Sequence, residues 1–237
     1  MNAGLRRKVL AEFIGTALLL AAVVGSGIAA QRLSPHDVGL ELLENAAATA
    51  AALVAIILAV GPVSGAHLNP AVSLALAAFR GLTWLEAAAY AVAQIAGGIF
   101  GVVVANLMFS LPALEVSTKV RSGGGIWLAE AVATFGLLLV IFGVVRSGRA
   151  ASAPYAVGAY IAGAYFFTAS TSFANPAVTI ARTLSNTFAG IAPGSAPAFI
   201  VSQLVGTGVA LLAIRALYPV MVDAAQRAVV PHGEQEG

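Results

Sequence analysis

The tripeptide Asn-Pro-Ala occurs twice in the chain, as Asn69-Pro70-Ala71 and as Asn175-Pro176-Ala177. Asparagine is a preferred N-cap residue and proline suits the first turn of a helix, so each tripeptide predicts a helix start. The apolar runs that follow end at Arg80 and Arg182. They cover roughly two or three turns, whereas a membrane span needs about 20 residues. Asn-Pro pairs also occur in loop turns, but because the flanking residues repeat here, we predict two half-helices.

The composition places these half-helices inside a membrane. Of the 237 residues, 59% are hydrophobic and 9% are charged, whereas soluble domains carry about 25% charged residues. The mean hydropathy is +0.93. We therefore predict an integral membrane protein, in which the many alanine and glycine residues let helices approach closely.

The polar residues argue against several other classes of function. The chain has no cysteine, which excludes disulfides, thiolate metal sites and cysteine nucleophiles. Its three histidines, His36, His67 and His232, form no paired motif, so we expect no enzyme, no catalytic residue, no metal site and no cofactor. The net charge of +2 comes from basic residues scattered over chain ends and connections, which does not indicate a nucleic-acid partner.

The second half of the chain repeats the first. The segment AEFIGTALLL at Ala11 returns as AEAVATFGLLL at Ala129, and QIAG at Gln94 returns as QLVG at Gln203. An Asn-Pro-Ala tripeptide lies between the two landmarks in each half. We predict a single transmembrane domain over 1–237, with repeat one at about 9–109, a joining loop at 110–125, repeat two at about 126–218, and a cytoplasmic tail at 219–237.

Six apolar runs are long enough to cross a membrane. Each half contains three of them, an odd number, so the second half enters from the opposite side and the repeat is inverted. The predicted fold is all-α, with six transmembrane helices and two reentrant half-helices that meet N-terminus to N-terminus. Gly61-Pro62 is expected to end the second span. The spans are predicted at about 9–30, 41–61, 84–109, 126–145, 154–171 and 198–218.

The basic residues orient the chain. With a cytoplasmic amino terminus, eight of the twelve lie on or near the cytoplasmic side, as the positive-inside rule requires. We therefore expect both termini in the cytoplasm. The cytoplasmic group is Arg6, Arg7, Lys8, Arg80, Arg146, Arg149, Arg215 and Arg227, and the outer group is Arg32, Lys119, Arg121 and Arg182.

Two opposed half-helices have chemical consequences. A helix N-terminus carries about half a positive charge and free N–H groups, so two of them form a barrier to cations. Asn69 and Asn175 can each offer an amide donor to a passing oxygen atom. Sodium and hydronium ions would lose hydration and meet like partial charge, whereas a neutral hydroxylated solute is favoured.

The paired motifs give the chain a resemblance to the aquaporin, or major intrinsic protein, superfamily. The twin Asn-Pro-Ala tripeptides, the Ala-Glu openings and the paired glutamines carry this resemblance over nearly the whole chain. It implies a pore within each subunit, a homotetramer in membrane lipid, and passive conduction of small neutral solutes. It also implies a multi-pass protein of the bacterial inner (cytoplasmic) membrane.

One position departs from this superfamily. Its members usually place an arginine directly after the second tripeptide, where it narrows and charges the selectivity filter, and here that residue is Val178. Counting by offset carries the other filter positions over to Thr49, Gly163 and Ser172. Because all four residues are small, we predict a wide filter that is uncharged and free of aromatic residues.

The filter suggests the solutes. Glycerol-type members tend to follow the arginine with aspartate, but Thr179 stands there. The chain looks more like arginine-less bacterial aquaglyceroporin-like members, some associated with trivalent arsenic. We expect a channel for trivalent metalloid hydroxides such as arsenite, together with glycerol-sized solutes. The alternatives are a general water and glycerol channel or an inverted-repeat secondary transporter.

Several single residues have two interpretations each. Glu12 and Glu130 lie within spans, where they either relay protons or, as we favour, accept hydrogen bonds from the reentrant loops. Arg182 either replaces the missing filter arginine from the vestibule or is a solvated residue at a helix end. His67 either lines the pore as a pH gate or is held by hydrogen bonds. Gln94 and Gln203 are expected to bond between helices.

Overall fold

The computed structural model describes residues 3–218, and all regular structure in that range is helical. Three short 3-10 turns lie at Ala150–Ser152, Arg182–Leu184 and Pro193–Ser195. The predicted tail at 219–237 falls outside the described residues. The α-helices in the described range are α1 (Ala3–Leu33), α2 (Val38–Ser64), α3 (Pro70–Ala78), α4 (Trp84–Met108), α5 (Gly124–Arg146), α6 (Ala153–Phe167), α7 (Pro176–Ala181) and α8 (Ala196–Leu217).

The helices confirm the predicted all-α membrane fold. In the described range, α1, α2, α4, α5 and α8 are long and apolar enough to cross a membrane. The remaining predicted span, the fifth at 154–171, is α6, which has 15 residues. Its predicted end at 171 is wrong, because the helix stops at Phe167 and the chain continues as a loop in which Thr171 and Ser172 have φ values of 63° and 51°.

The predicted end of the second span at Gly61-Pro62 is also wrong. α2 continues through Pro62 to Ser64 and ends where Gly65 adopts a φ of 86°. The Gly65 N–H donates to Gly61 O at 2.8 Å, so a hydrogen bond closes the last turn across the proline. Only glycine adopts this left-handed backbone without steric cost.

The two half-helices, α3 and α7, begin at the proline of each tripeptide as predicted. Asn69 and Asn175 are their N-cap residues, and the side-chain oxygen of each accepts a hydrogen bond from the N–H two residues later, at 2.9 Å in both cases. α7 is shorter than expected, because the chain tightens into a 3-10 turn at Arg182. The caps satisfy helix-end donors that would otherwise lack partners away from water.

The packing of the long helices follows the repeat. α1 lies along α4, and α5 lies along α8. Each pair meets at a glycine that touches the opposite backbone: a Cβ atom on Gly97 would lie 2.2 Å from Phe13 O, and one on Gly206 would lie 2.3 Å from Ala131 O. Close backbone contact through small residues is how membrane helices associate.

We expect Gly206→Ala to destabilise the protein by about 1–3 kcal/mol, since the added methyl group forces α5 and α8 apart. The measurement is the thermal unfolding midpoint of the purified protein in detergent. Gly208→Ala is the matched control, because it lies on the same helix and a Cβ there meets nothing within 4 Å. Equal midpoints for the two variants would contradict this packing.

Candidate functional site

A cavity of about 60 Å³ lies between the half-helices. This volume admits roughly four water molecules. Two rows of side chains spaced four residues apart form much of its wall, Thr49, Leu53 and Ile57 from α2 and Val157, Ile161 and Tyr165 from α6. The remaining lining residues are Leu19, Val23, Ala66, His67, Leu68, Asn69, Val72, Leu137, Ile141, Ser172, Phe173, Asn175, Val178 and Arg182.

The two asparagines of the tripeptides meet across the middle of this cavity. The Asn69 amide nitrogen donates to Ala174 O, and the Asn175 amide nitrogen donates to Leu68 O, both at 2.8 Å. Each half therefore holds the asparagine of the other. Because a side-chain amide carries two N–H donors, each asparagine keeps a second donor for a solute in the cavity.

The loops before the half-helices are unusually bent. Ala66 and Leu68 have φ values of 48° and 51°, and Ser172 and Ala174 have φ values of 51° and 48°. Residues other than glycine rarely adopt this left-handed backbone, which costs roughly 1–2 kcal/mol each. The matching values show that the inverted repeat extends to the backbone of the pore, where strain is held by the surrounding contacts.

Two buried glutamates hold these loops. Glu12 on α1 accepts hydrogen bonds from the N–H groups of His67 and Leu68, at 2.9 and 2.7 Å. Glu130 on α5 accepts from the N–H groups of Phe173 and Ala174, both at 2.9 Å. Neither glutamate lines the cavity. Their carboxylates therefore satisfy loop donors rather than face the path of a solute.

The paired glutamines extend both clusters. Gln94 on α4 donates to Glu12 at 2.8 Å and to Ser73 at 3.1 Å. Gln203 on α8 donates to Glu130 at 2.6 Å and to Thr179 at 2.9 Å. Each glutamine thus joins a long helix, a glutamate and a half-helix in one hydrogen-bonded group.

Three of the four predicted filter residues lie in the cavity wall. Val178 is 6% exposed and presents its side chain there, one residue beyond the second tripeptide. The Thr49 hydroxyl accepts a hydrogen bond from Tyr165 at 3.2 Å. The Ser172 hydroxyl is buried and, among the described residues, has no hydrogen-bond partner. The wall at this level therefore combines a small apolar group with two hydroxyls.

The placement of Gly163 in the filter is wrong. Gly163 is exposed on the outer face of α6, and the row that includes Ile161 and Tyr165 faces the cavity instead. The offset failed because α6 ends at Phe167 and the following loop is not helical. The spacing of Val157, Ile161 and Tyr165 in the sequence could have indicated the inward face, since residues four apart share a helix face.

The filter is predicted to be uncharged and free of aromatic residues, and this description does not hold for the cavity wall as a whole. Tyr165 and Phe173 are both buried and line the cavity. Arg182 also lines it and is 2% exposed, so the interpretation of Arg182 as a solvated helix-end residue is wrong. Its guanidinium carbon lies 3.5 Å from the centroid of the Phe173 ring, and its Nε donates to Ala189 O.

His67 also lines the cavity, on the other side of the two asparagines from Arg182. Its Nδ1 lies 3.0 Å from the Ser73 hydroxyl, and its ring packs edge-on against Tyr90 at 5.1 Å. Phe173 and Phe199 make the same edge-on contact in the second repeat, also at 5.1 Å. His67 and Phe173 are therefore repeat counterparts, and we name the two ends of the cavity the His67 end and the Arg182 end.

The connection between α4 and α5 places two further cations near the Arg182 end. Lys119 donates to Phe188 O at 2.8 Å, and Arg121 donates to Gly190 O at 3.0 Å. Partial burial, together with the charges of Arg121 and Arg182, lowers the pKa of Lys119 to about 8. Burial also lowers the pKa of Arg121. This rim therefore loses positive charge as the pH rises above about 8.

Comparison with known proteins places this architecture in a family. Residues 2–174 match the model of the major intrinsic protein family. The chain is 52% identical over 211 residues to aquaglyceroporin AqpS of Rhizobium meliloti (strain 1021), covering 89% of this chain and 90% of that protein. It is 33% identical over 165 residues to aquaporin NIP3-1 of Oryza sativa subsp. japonica, covering 68% of this chain and 52% of that protein.

A solved structure shares the fold. The X-ray structure of the aquaglyceroporin from Plasmodium falciparum matches with a TM-score of 0.72 and 22% identity, covering 92% of this chain and 98% of that one. The family match extends over most of the chain, and the geometry of its cavity agrees with it. The chain belongs to the major intrinsic protein family, whose members are membrane channels for small solutes.

Proposed function

We propose that this protein is a passive channel for small uncharged polyhydroxylated solutes, namely glycerol-sized molecules and trivalent metalloid hydroxides such as arsenous acid. The observation that carries the proposal is Val178 in the cavity wall. At the position where related channels place an arginine, the wall has a short apolar side chain. The small side chain at position 178 leaves space that an arginine there would fill, and this favours neutral solutes larger than water.

The cavity suits neutral solutes better than cations. Among the described residues, no carboxylate lines it, so a cation that loses its water finds no anionic partner. The asparagines Asn69 and Asn175 direct amide donors inward from the two helix N-termini. Oxygen atoms of a neutral solute can accept these donors, whereas a cation meets like partial charge.

The cavity wall carries both apolar and polar side chains, which suits a molecule with several hydroxyl groups. Residues such as Leu53 and Ile161 are apolar, and Asn69, Asn175 and Thr49 supply polar groups. Arsenous acid is neutral at pH 7 and carries hydroxyls as glycerol does. Both solutes can exchange hydration for these donors and acceptors, which lowers the cost of entering the pore.

The assembly and orientation of the channel are part of the proposal. Similarity to the family supports a homotetramer with one pore per subunit, in a bacterial inner membrane. The excess of basic residues on the side of Arg80 and Arg146 supports cytoplasmic termini. In this orientation, the Arg182 end of the cavity faces outward and the His67 end faces the cytoplasm.

The test is uptake of arsenous acid and of glycerol into vesicles containing the purified protein. We expect uptake that follows the solute gradient and is unchanged when proton and sodium gradients are collapsed with ionophores. Uptake that requires either gradient would indicate a secondary transporter. Uptake of glycerol and water with arsenous acid at the rate of protein-free vesicles would indicate a general water and glycerol channel.

A further inference from the structure

Arg182 places a guanidinium at its end of the cavity, although the position where related channels carry an arginine is occupied by Val178. Arg182 is 2% exposed, yet among the described residues no carboxylate forms an ion pair with it. A buried charge that no carboxylate contacts directly is costly to maintain. Such a group is retained where its charge or its donors serve a purpose in the site.

The ring of Phe173 and one carbonyl fix the guanidinium in place. Its carbon lies 3.5 Å from the Phe173 centroid, a cation–π contact at close range. The Nε atom of Arg182 donates a hydrogen bond to Ala189 O. The two Nη atoms have no hydrogen-bond partner among the described residues, and the residue lines the cavity. Their donors are therefore available to a solute.

The second arginine near Phe173 is engaged differently. Arg121 donates to three carbonyl oxygens, those of Gly190, Phe188 and Ser170, at 3.0, 3.3 and 3.5 Å. Its guanidinium carbon lies 5.1 Å from the Phe173 centroid, and it does not line the cavity. Arg121 thus braces the loops around Phe173, whereas Arg182 keeps donors for the pore.

The hydroxyl group of Ser172 can both donate to and accept from a solute that Arg182 binds. The Ser172 hydroxyl is buried, lines the cavity, and has no hydrogen-bond partner among the described residues. A buried hydroxyl without a partner costs free energy unless a mobile molecule supplies the hydrogen bond. Arg182 and Ser172 together provide polar groups that can bind a solute at this end of the cavity.

We propose that Arg182, held against Phe173 and assisted by Ser172, is the cation-excluding and oxygen-binding filter group of this channel, displaced one helical turn from the usual arginine position. This inference rests on the proposed function. Because the guanidinium is held over the ring of Phe173 and not at position 178, the filter keeps a positive charge while the small side chain of Val178 leaves space for a solute. The channel can therefore pass larger neutral solutes without leaking cations.

The test compares Arg182→Met with Arg32→Met in vesicles. Arg32 is the matched control, because its guanidinium donates to Phe109 O at 2.7 Å and lies 5.2 Å from the Phe109 centroid, but it does not line the cavity. We measure proton and potassium leak with fluorescent dyes at a fixed membrane potential, and glycerol flux in the same preparations. Arg182→Met is expected to raise cation leak by about tenfold or more, and Arg32→Met is expected to match the wild type.

A double variant tests whether the guanidinium alone is responsible. Val178→Arg combined with Arg182→Met returns the charge to the usual position, and we expect cation exclusion to recover while glycerol flux falls. Arg182→Gln, which keeps a donor for Ala189 O, repeats the test if Arg182→Met does not fold. Cation leak equal to that of Arg32→Met in a variant that still conducts glycerol overturns the inference. Absence of glycerol flux in the wild type instead overturns the proposed function.

Discussion

Val178→Arg is expected to lower the permeability to glycerol and arsenous acid by roughly 100-fold and to lower water permeability by less than tenfold. The side chain at 178 lies in the wall of a cavity of about 60 Å³. A guanidinium there fills much of that space and places five N–H donors across it. It also adds a second positive charge to a wall that already contains Arg182, four residues along the chain. Water, the smallest of the three solutes, retains a path.

Stopped-flow light scattering on vesicles measures the three permeabilities in one preparation. Val178→Leu is the control that separates size from charge, because it lengthens the apolar side chain without adding a donor. We expect Val178→Leu to lower glycerol permeability by less than tenfold. Equal losses in the two variants would show that bulk alone matters, and unchanged glycerol flux in Val178→Arg would show that position 178 does not border the path.

Glu130→Ala is expected to give the largest loss of stability, about 3 kcal/mol or more. The substitution leaves two buried N–H groups, those of Phe173 and Ala174, without an acceptor. It also removes one of the two acceptors of the Gln203 amide, which keeps Thr179. Each unsatisfied buried donor costs about 1–3 kcal/mol. The strained loop that carries Ser172 then loses the hydrogen bonds that hold its backbone. We therefore expect the filter residues to lose their positions as the protein loses stability.

Thermal unfolding in detergent and the yield of monodisperse protein report this loss. Glu130→Gln retains one acceptor oxygen and should be intermediate. Glu86→Ala is the control, since it removes a carboxylate from the partly exposed capping box of α4, whose partner is Thr83, and a cap is worth about 1 kcal/mol. A Glu130→Ala protein as stable as Glu86→Ala would contradict the structural role and would favour the proton-relay alternative.

The half-helices could be predicted from the sequence because their determinants are local. Asparagine followed by proline caps and starts a helix wherever it occurs, and the short apolar runs end at Arg80 and Arg182 within about one turn of the observed helix ends. The repeat of Glu12 and Glu130 was visible for the same reason. A polar residue in an apolar run stands out whatever it contacts.

The wall of the cavity could not be predicted from offsets. Which face of α6 turns inward depends on its packing against α2 and on the bent loop at 168–174, and neither is encoded in a fixed distance from Asn175. Tyr165 and Phe173 were missed because aromatic residues are common in apolar spans. The sequence allows two interpretations of Arg182, and only the folded structure, in which Arg182 is buried against Phe173, decides between them.

The most direct test of the proposed channel is stopped-flow light scattering on wild-type vesicles that are shocked in turn with sucrose, glycerol and arsenous acid. We predict shrinkage under sucrose and rapid protein-dependent recovery of volume under glycerol and arsenous acid, with rates that do not change across applied proton or sodium gradients. Recovery under both solutes at the rate of protein-free vesicles, with water flow still accelerated, would contradict the account.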